Sequence, residues 1–253
     1  MKKIDILQTQ VNALSQQNLV DLVHNWTKKN ESKYICFANV HMIMEGYDDE
    51  NFRNIVNKAD IVAPDGMPLV WYIKLAGFKN QERVCGPDMT LKICELAEKE
   101  SIPIGFFGSS EEVLKKLKTN LIKMYPKLKI SCCISPPFRK LTIEESKMYI
   151  NQINNSGIKI LFVGLGCPKQ EKWMFQHRNE INSVMLGVGA AFDFISGTKK
   201  IAPDFLKKCG LEWLYRLLQE PKRLWKRYLK HNPRFVFLAF LEITKNKLLN
   251  RKY

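Results

Sequence analysis

Asp65 lies in Ala63-Pro64-Asp65-Gly66-Met67-Pro68, a loop that two prolines stiffen and one glycine relaxes at its tip. A carboxylate held firmly after a strand suits a general base. The same residue could instead cap the helix that Pro68 opens. Arg83, in Glu82-Arg83-Val84-Cys85-Gly86-Pro87-Asp88, precedes another Gly-Pro helix start. There a guanidinium can clamp a phosphate through two parallel bonds, or pair with Glu82 or Asp88. His41 follows Asn39-Val40 at a strand-to-helix junction, as a ligand-binding or a structural histidine. Three glycine loops complete the set: Gly108 before Ser109-Ser110, Gly164-Leu165-Gly166-Cys167-Pro168-Lys169-Gln170, and Gly189 before Ala190-Ala191. Glycine lets backbone N–H groups approach an anion, and a helix N-terminus is positive. None of the loops matches GxGxxG or a P-loop, so each also reads as a plain strand-to-helix turn. No D-x-D stands near them, no cluster shows metal-ligand spacing, and no metal or cofactor is expected. A departing diphosphate would then have to be stabilised by Lys and Arg.

The elements that must carry these loops are short apolar runs alternating with helical patterns. Strands are expected at Tyr34–Ala38, Asp60–Ala63, Pro103–Phe107, Lys129–Ile134, Lys159–Val163 and Ser183–Gly187, with helices between them. Strands that are apolar throughout, each followed by a helix, imply an α/β fold: a mostly parallel sheet flanked by helices. Ligands bind past the carboxyl ends of such strands, where the glycine loops fall. After Ile201-Ala202-Pro203 the alternation stops, which places a boundary near residue 198. Residues 1–198 form the α/β domain and 199–253 a helical C-terminal appendage.

That appendage concentrates the charge. It holds 15 Lys or Arg against 4 acids, an excess of 15 − 4 = +11 out of +15 for the chain. Trp213, Tyr215, Trp225, Tyr228 and Phe235 sit among the cations, a composition suited to an anionic membrane, a nucleotide diphosphate or a nucleic acid. The apolar run from Phe235, as a helix, is about 14 Å long against about 30 Å for a bilayer core, so it lies in the interface and does not span. Phe235, Phe237, Leu238 and Leu241 are expected at the headgroups. Arg216, Arg223 and Arg227 recur at spacings of seven and four, on one face if the helix runs through Pro221. Without residues 199–253 a soluble domain is expected to remain. Seven cysteines, an odd number with no CxxC pair, indicate reduced thiols and a cytoplasmic chain. The N-terminus lacks a run of signal-peptide length.

In this setting the chain resembles the WecG/TagA/CpsF glycosyltransferases over nearly its full length. The resemblance rests on Ala38-Asn39-Val40-His41-Met42 with Met44-Glu45, the Ala59–Pro68 stretch, Glu82–Asp88, Val163–Glu171, Gly189–Asp193, and Gly210–Leu217 with Glu220–Arg223 and Arg227–Leu229. It implies a Rossmann-like fold of GT-E type. It also implies an inverting, metal-independent transfer of an N-acetylmannosamine-type sugar or hexose from a UDP-sugar to a sugar on undecaprenyl diphosphate. The product would enter wall teichoic acid, capsule or exopolysaccharide. The enzyme would be bound peripherally at the inner face of the cell membrane, and a homo-oligomer is compatible with it. Asp65 corresponds to the family's base and Asn39 to its strand-end asparagine. Arg83, Gln170 and Asp193 become pocket residues, with uracil near Asp193. The family often has threonine where this chain has Phe37, which leaves the donor sugar open.

Two other classes fit less well. A basic nucleic-acid-binding α/β protein would share the tail but would not need the glycine loops or the apolar run. A nicotinamide dehydrogenase would need an early GxGxxG and an acid after the next strand, and the chain has neither.

Overall fold

The computed structural model describes residues 1–250, with side chains through residue 245. The chain opens with a hairpin of β1 (Lys3–Ile6) and β2 (Thr9–Asn12), which the sequence pattern had not indicated. Its turn places Leu7 and Gln8 at positive φ. Helix α1 (Gln16–Lys28) follows, started by a Ser15–Asn18 capping box.

All six expected strands are present: β3 (Lys33–Ala38), β4 (Ile61–Pro64), β5 (Ile104–Gly108), β6 (Ile130–Ile134), β7 (Ile160–Gly164) and β8 (Val184–Gly187). They form one sheet in the order β4-β3-β8-β7-β5-β6, with every neighbouring pair parallel. Ile160, Leu161, Phe162 and Val163 of the central β7 are wholly buried, because helices cover both faces.

One face is covered by α2 (Val40–Asp48), α3 (Glu50–Asn57), α4 (Met67–Leu75), α7 (Ile143–Asn155) and α8 (Lys169–His177), together with the hairpin. The other face is covered by α1, α5 (Gly86–Lys99), α6 (Glu111–Met124) and α9 (Ala191–Ile195). From β5 the chain turns outward to β6, and from β7 it turns the opposite way to β8. The loops after β5 and β7 therefore diverge where Gly108 and Gly164 lie side by side, the position at which such sheets place a ligand crevice.

The C-terminal segment folds as α10 (Asp204–Lys208), α11 (Glu212–Gln219) and α12 (Pro221–Asn250). Glu220, at φ −132° and ψ 57°, separates the last two. Arg216 therefore belongs to a different helix from Arg223 and Arg227, and the single cationic face expected of the three does not form. Helix α12 runs through Pro233 without interruption. Its Phe235 and Ala239 are buried in the same core as α2 and α4, and Leu238 packs against that core. Phe235 is thus a core residue and not a headgroup contact, Leu238 is partly buried against that core, and Phe237 and Leu241 are exposed. Lys230 and Arg234 pair with Asp48, and Glu242 accepts from the Leu7 N–H and the Tyr72 hydroxyl. The last helix is fastened along its length to the domain it follows.

Candidate active site

Asp65 sits immediately after β4, and its backbone is stapled to the end of β3. Its N–H and that of Gly66 both donate to the Ala38 carbonyl, at 2.8 and 3.2 Å. Gly66, not Asp65, is the N-cap residue of α4, and it makes no side-chain capping bond. The capping role is therefore excluded. The Asp65 side chain instead meets Arg83, whose Nη2 donates to Oδ1 at 2.9 Å and whose Nε donates to the Asp65 carbonyl. The Val84 N–H to Pro64 carbonyl bond, 2.9 Å, holds the arginine's segment against the loop.

Arg83 spends its other arm on Glu212 of α11, with Nη1 2.8 Å from Oε2. Neither Glu82 nor Asp88 is its partner; Glu82 accepts from the Gln16 N–H. The guanidinium thus bridges two carboxylates, and one of them comes from the appendage. Burial raises the pKa of the Asp65 carboxyl above the ordinary range; Arg83 pulls it down, Glu212 pushes it up, and Arg216 pulls it down. Among the described residues no partner takes Oδ2 of Asp65, which leaves that oxygen able to accept a proton. The sequence reading missed Glu212: its partner is far away along the chain, and only the quoted Gly210–Leu217 block marked its neighbourhood.

Asn39 caps α2, its Oδ1 accepting the Met42 N–H at 3.2 Å. A Cβ placed on Gly66 would lie 3.4 Å from the Asn39 Cα, so this residue borders the Asp65 loop. Phe37, where the family often has threonine, is buried in the core under α1, α5 and α6. His41, in the first turn of α2, faces Glu45 of its own helix and His231 of α12. Burial, then Arg227, His231 and Lys230, push its pKa down to about 3, so the ring is neutral at physiological pH.

The glycine loops have two kinds of glycine. A Cβ on Gly108 would come within 2.6 Å of Gly164, and one on Gly164 within 2.6 Å of the Phe192 ring. These two are demanded by close packing at the strand ends. Gly166, at φ +80° with nothing within 4 Å of its missing Cβ, opens onto free space, whereas at Gly189, with φ +54°, a Cβ would touch the Gln170 amide at 3.6 Å. Gln170 itself is buried. Its Oε1 accepts from the Gly166 N–H (3.1 Å), and its Nε2 donates to the Gly187 carbonyl (2.8 Å) and to Glu171 (2.7 Å). It is a strut between two loops, with both of its amide N–H donors spent inside the protein. Glu171 is fully buried, its carboxyl is pushed up to about 7 by desolvation, and its Oε2 has no partner among the described residues. Lys169 stands exposed at the start of α8.

Gly86 joins these loops to the Arg83 segment, since a Cβ there would lie 3.0 Å from the Val188 carbonyl. Asp193 is paired with Lys199 at 2.8 Å, Lys199 with Glu220 at 3.3 Å, and Glu220 with Arg223. Its carboxylate therefore serves as one end of an ionic chain to the appendage. Arg216 lies over the Phe194 ring at 5.5 Å, and Arg227 reaches the neighbourhood of His41. Asp65, Asn39 and Arg83 thus form one group, the glycine loops abut it, and the appendage arginines approach from two helices. Contrary to the expectation that no cluster offers metal-ligand spacing, His41, Glu45 and His231 place ligand atoms within 4.8 Å of one another. Sequence spacing could not show this, because His231 comes from the other end of the chain.

A family model described as "Glycosyl transferase WecG/TagA/CpsF family" matches residues 4–249. Among similar proteins, one from Bacillus subtilis (strain 168) is 28% identical over 84% of this chain and 80% of its own length. A second, from Staphylococcus aureus (strain MW2), is 26% identical over 93% of this chain and 91% of its own. Both carry the name N-acetylglucosaminyldiphosphoundecaprenol N-acetyl-beta-D-mannosaminyltransferase.

Proposed function

The chain belongs to the WecG/TagA/CpsF family of glycosyltransferases, and we propose that it transfers N-acetylmannosamine or a related sugar from a UDP-sugar to a sugar carried on undecaprenyl diphosphate, for a cell-surface polysaccharide. The substrate class follows the names of the relatives. The observation that carries the mechanism is the Asp65 carboxylate, fixed through one oxygen by Arg83 and open at the other. In the proposed step the acceptor hydroxyl loses its proton to Asp65 as its oxygen attacks the anomeric carbon. The bond from that carbon to the diphosphate breaks on the opposite face, UDP departs with the bonding pair, and the configuration inverts. The β5/β7 crevice, with the Gly166 and Gly189 turns beside it, is the proposed seat of the diphosphate. Lys169, Arg216 and Arg227 supply positive charge for the leaving group. Gly108 and Gly164 shape the crevice floor, and Asp193 acts through its ionic chain to the appendage.

The reaction takes place at the membrane surface that holds the lipid acceptor, with the chain attached peripherally. No helix among the described residues is long and apolar enough to cross a membrane. Helix α12 instead exposes Trp225, Leu229, Val236, Phe237, Phe240 and Leu241.

The test is release of UDP and formation of the disaccharide on an undecaprenyl-diphosphate-N-acetylglucosamine analogue, with excess EDTA present and several UDP-sugars compared. Asp65→Asn should keep nucleotide binding and lower the rate by at least about a hundredfold. A variant that keeps more than about a tenth of the activity would remove Asp65 from the role of base.

A further inference from the structure

The junction of α2 and α12 holds a donor set that the transfer does not use. His41 and Glu45 stand one helical turn apart on α2, and His231 reaches them from α12. The Nε2 atoms of the two rings lie 3.6 and 3.4 Å from the same oxygen, Oε1 of Glu45. No hydrogen bond joins either ring to that carboxylate, and such separations are too long for a good one. They do match the spacing of neighbouring ligands around one small ion, since donors about 2.0–2.2 Å from a tetrahedral centre stand roughly 3.3–3.6 Å apart. The rings cross edge to face with centroids 5.3 Å apart, so both can direct a nitrogen at a shared point without overlapping.

Burial agrees with the geometry. His231 is 3% exposed, and its Nδ1 is buried with no hydrogen-bond partner among the described residues. Packing alone, and no polar bond from that nitrogen, orients the ring. The carboxylates facing the site are Glu45 and Asp48, and the cations are Arg227 and Lys230. Lys230 is already paired with Asp48 at 3.3 Å, which reduces its opposition to a metal ion.

We propose that His41, Glu45 and His231 bind one zinc ion, which pins the appendage helix α12 to α2 of the α/β domain. Two imidazoles and a carboxylate are a donor set that zinc accepts, with a fourth position left for water or another oxygen. Hard cations such as Mg²⁺ and Ca²⁺ prefer all-oxygen sites and are poorly served here. The ion acts as a strut between helices and takes no part in the glycosyl transfer.

The experiment uses the untagged full-length chain, stripped with chelator and titrated with Zn²⁺ against a chromophoric competitor, then separately with Co²⁺. One zinc per chain should bind, raising the melting temperature, and Mg²⁺ should give no such shift. Glu45→Gln and His231→Ala should each weaken binding by at least about a hundredfold, the upper end of what even an outer-shell loss costs. The Co²⁺ form should show visible bands of a nitrogen- and oxygen-ligated ion without thiolate charge transfer. That spectrum decides the matter even where a variant folds poorly. Failure to bind zinc, binding in both variants as tight as in the unaltered chain, or a thiolate band from exposed Cys133 or Cys209 would each overturn the proposal.

Discussion

At the level of single residues, the Asp65 loop was legible because its message is local. Two prolines, a glycine and a strand end all act within a few residues. The partners of Asp65 were not legible. Nothing in the run around Arg83 shows that its second arm reaches α11, and the sequence offered Glu82 and Asp88 as nearer candidates. That distant pairing has a kinetic consequence. The negative charge of Glu212 disfavours the ionised form of Asp65 and contributes to raising its pKa. Glu212→Gln should therefore move the acid limb of the pH–rate profile to lower pH while the rate at the plateau is largely kept. An unshifted limb would mean that Glu212 does not act on the base.

Glu171 makes the complementary case, a buried acid outside the proposed chemistry. Folding raises its carboxyl from 4.5 to about 7, so the folded protein binds that proton more tightly than the unfolded chain does. The folded state then loses stability as pH rises between those two values, and the loss is complete above about 7. At about 1.4 kcal/mol per pH unit of that gap, the loss is on the order of 3 kcal/mol. Glu171→Gln should stabilise the protein by up to this amount near about pH 8 and by little near about pH 4. Thermal melts at both values check it, and equal gains at the two would show that the carboxyl is not held in its neutral form.

At the level of elements, the six strands were readable because a doubly covered parallel sheet demands continuous apolar runs bounded by glycine and proline. The orientation of α12 was not. In Phe235-Val236-Phe237-Leu238-Ala239-Phe240 apolar residues occupy every side of the helix, so periodicity does not tell which ones turn inward. The structure divides them: Phe235 and Ala239 go to the core, while Val236, Phe237 and Phe240 go to the surface. Replacing those three outer residues by serine should leave the melting temperature nearly unchanged. Each apolar side chain contributes up to about 1.5–3 kcal/mol when fully buried. The triple variant should therefore bind anionic vesicles at least about tenfold more weakly. Turnover of a water-soluble acceptor should persist. Undiminished vesicle binding would shift the membrane contact to another surface.

At the level of the whole molecule, composition marked a basic appendage from about residue 199; the segment beyond it is helical, and its last helix is tied to the rest of the chain. Leu224, Phe235 and Ala239 are buried, Glu242 ties the hairpin and α4 to α12, and Asp48 holds two of its cations. Charge and aromatic content cannot reveal such ties, because they are made to residues near the other end of the chain. These ties argue against the expected soluble remnant after removal of 199–253. The cut removes Phe235 and Ala239 from the core cluster that also holds Met42, Ile43 and Tyr72. Losing the burial of Leu224 and Phe235 alone removes on the order of 5 kcal/mol, against a total stability of about 5–15 kcal/mol for a domain of this kind. The truncated chain should melt at a much lower temperature or without a cooperative transition, and it should bind a hydrophobic dye. A shortened protein that melts as sharply and as high as the full chain would show that α12 adds no stability to the fold and that its role is confined to the membrane and the donor site.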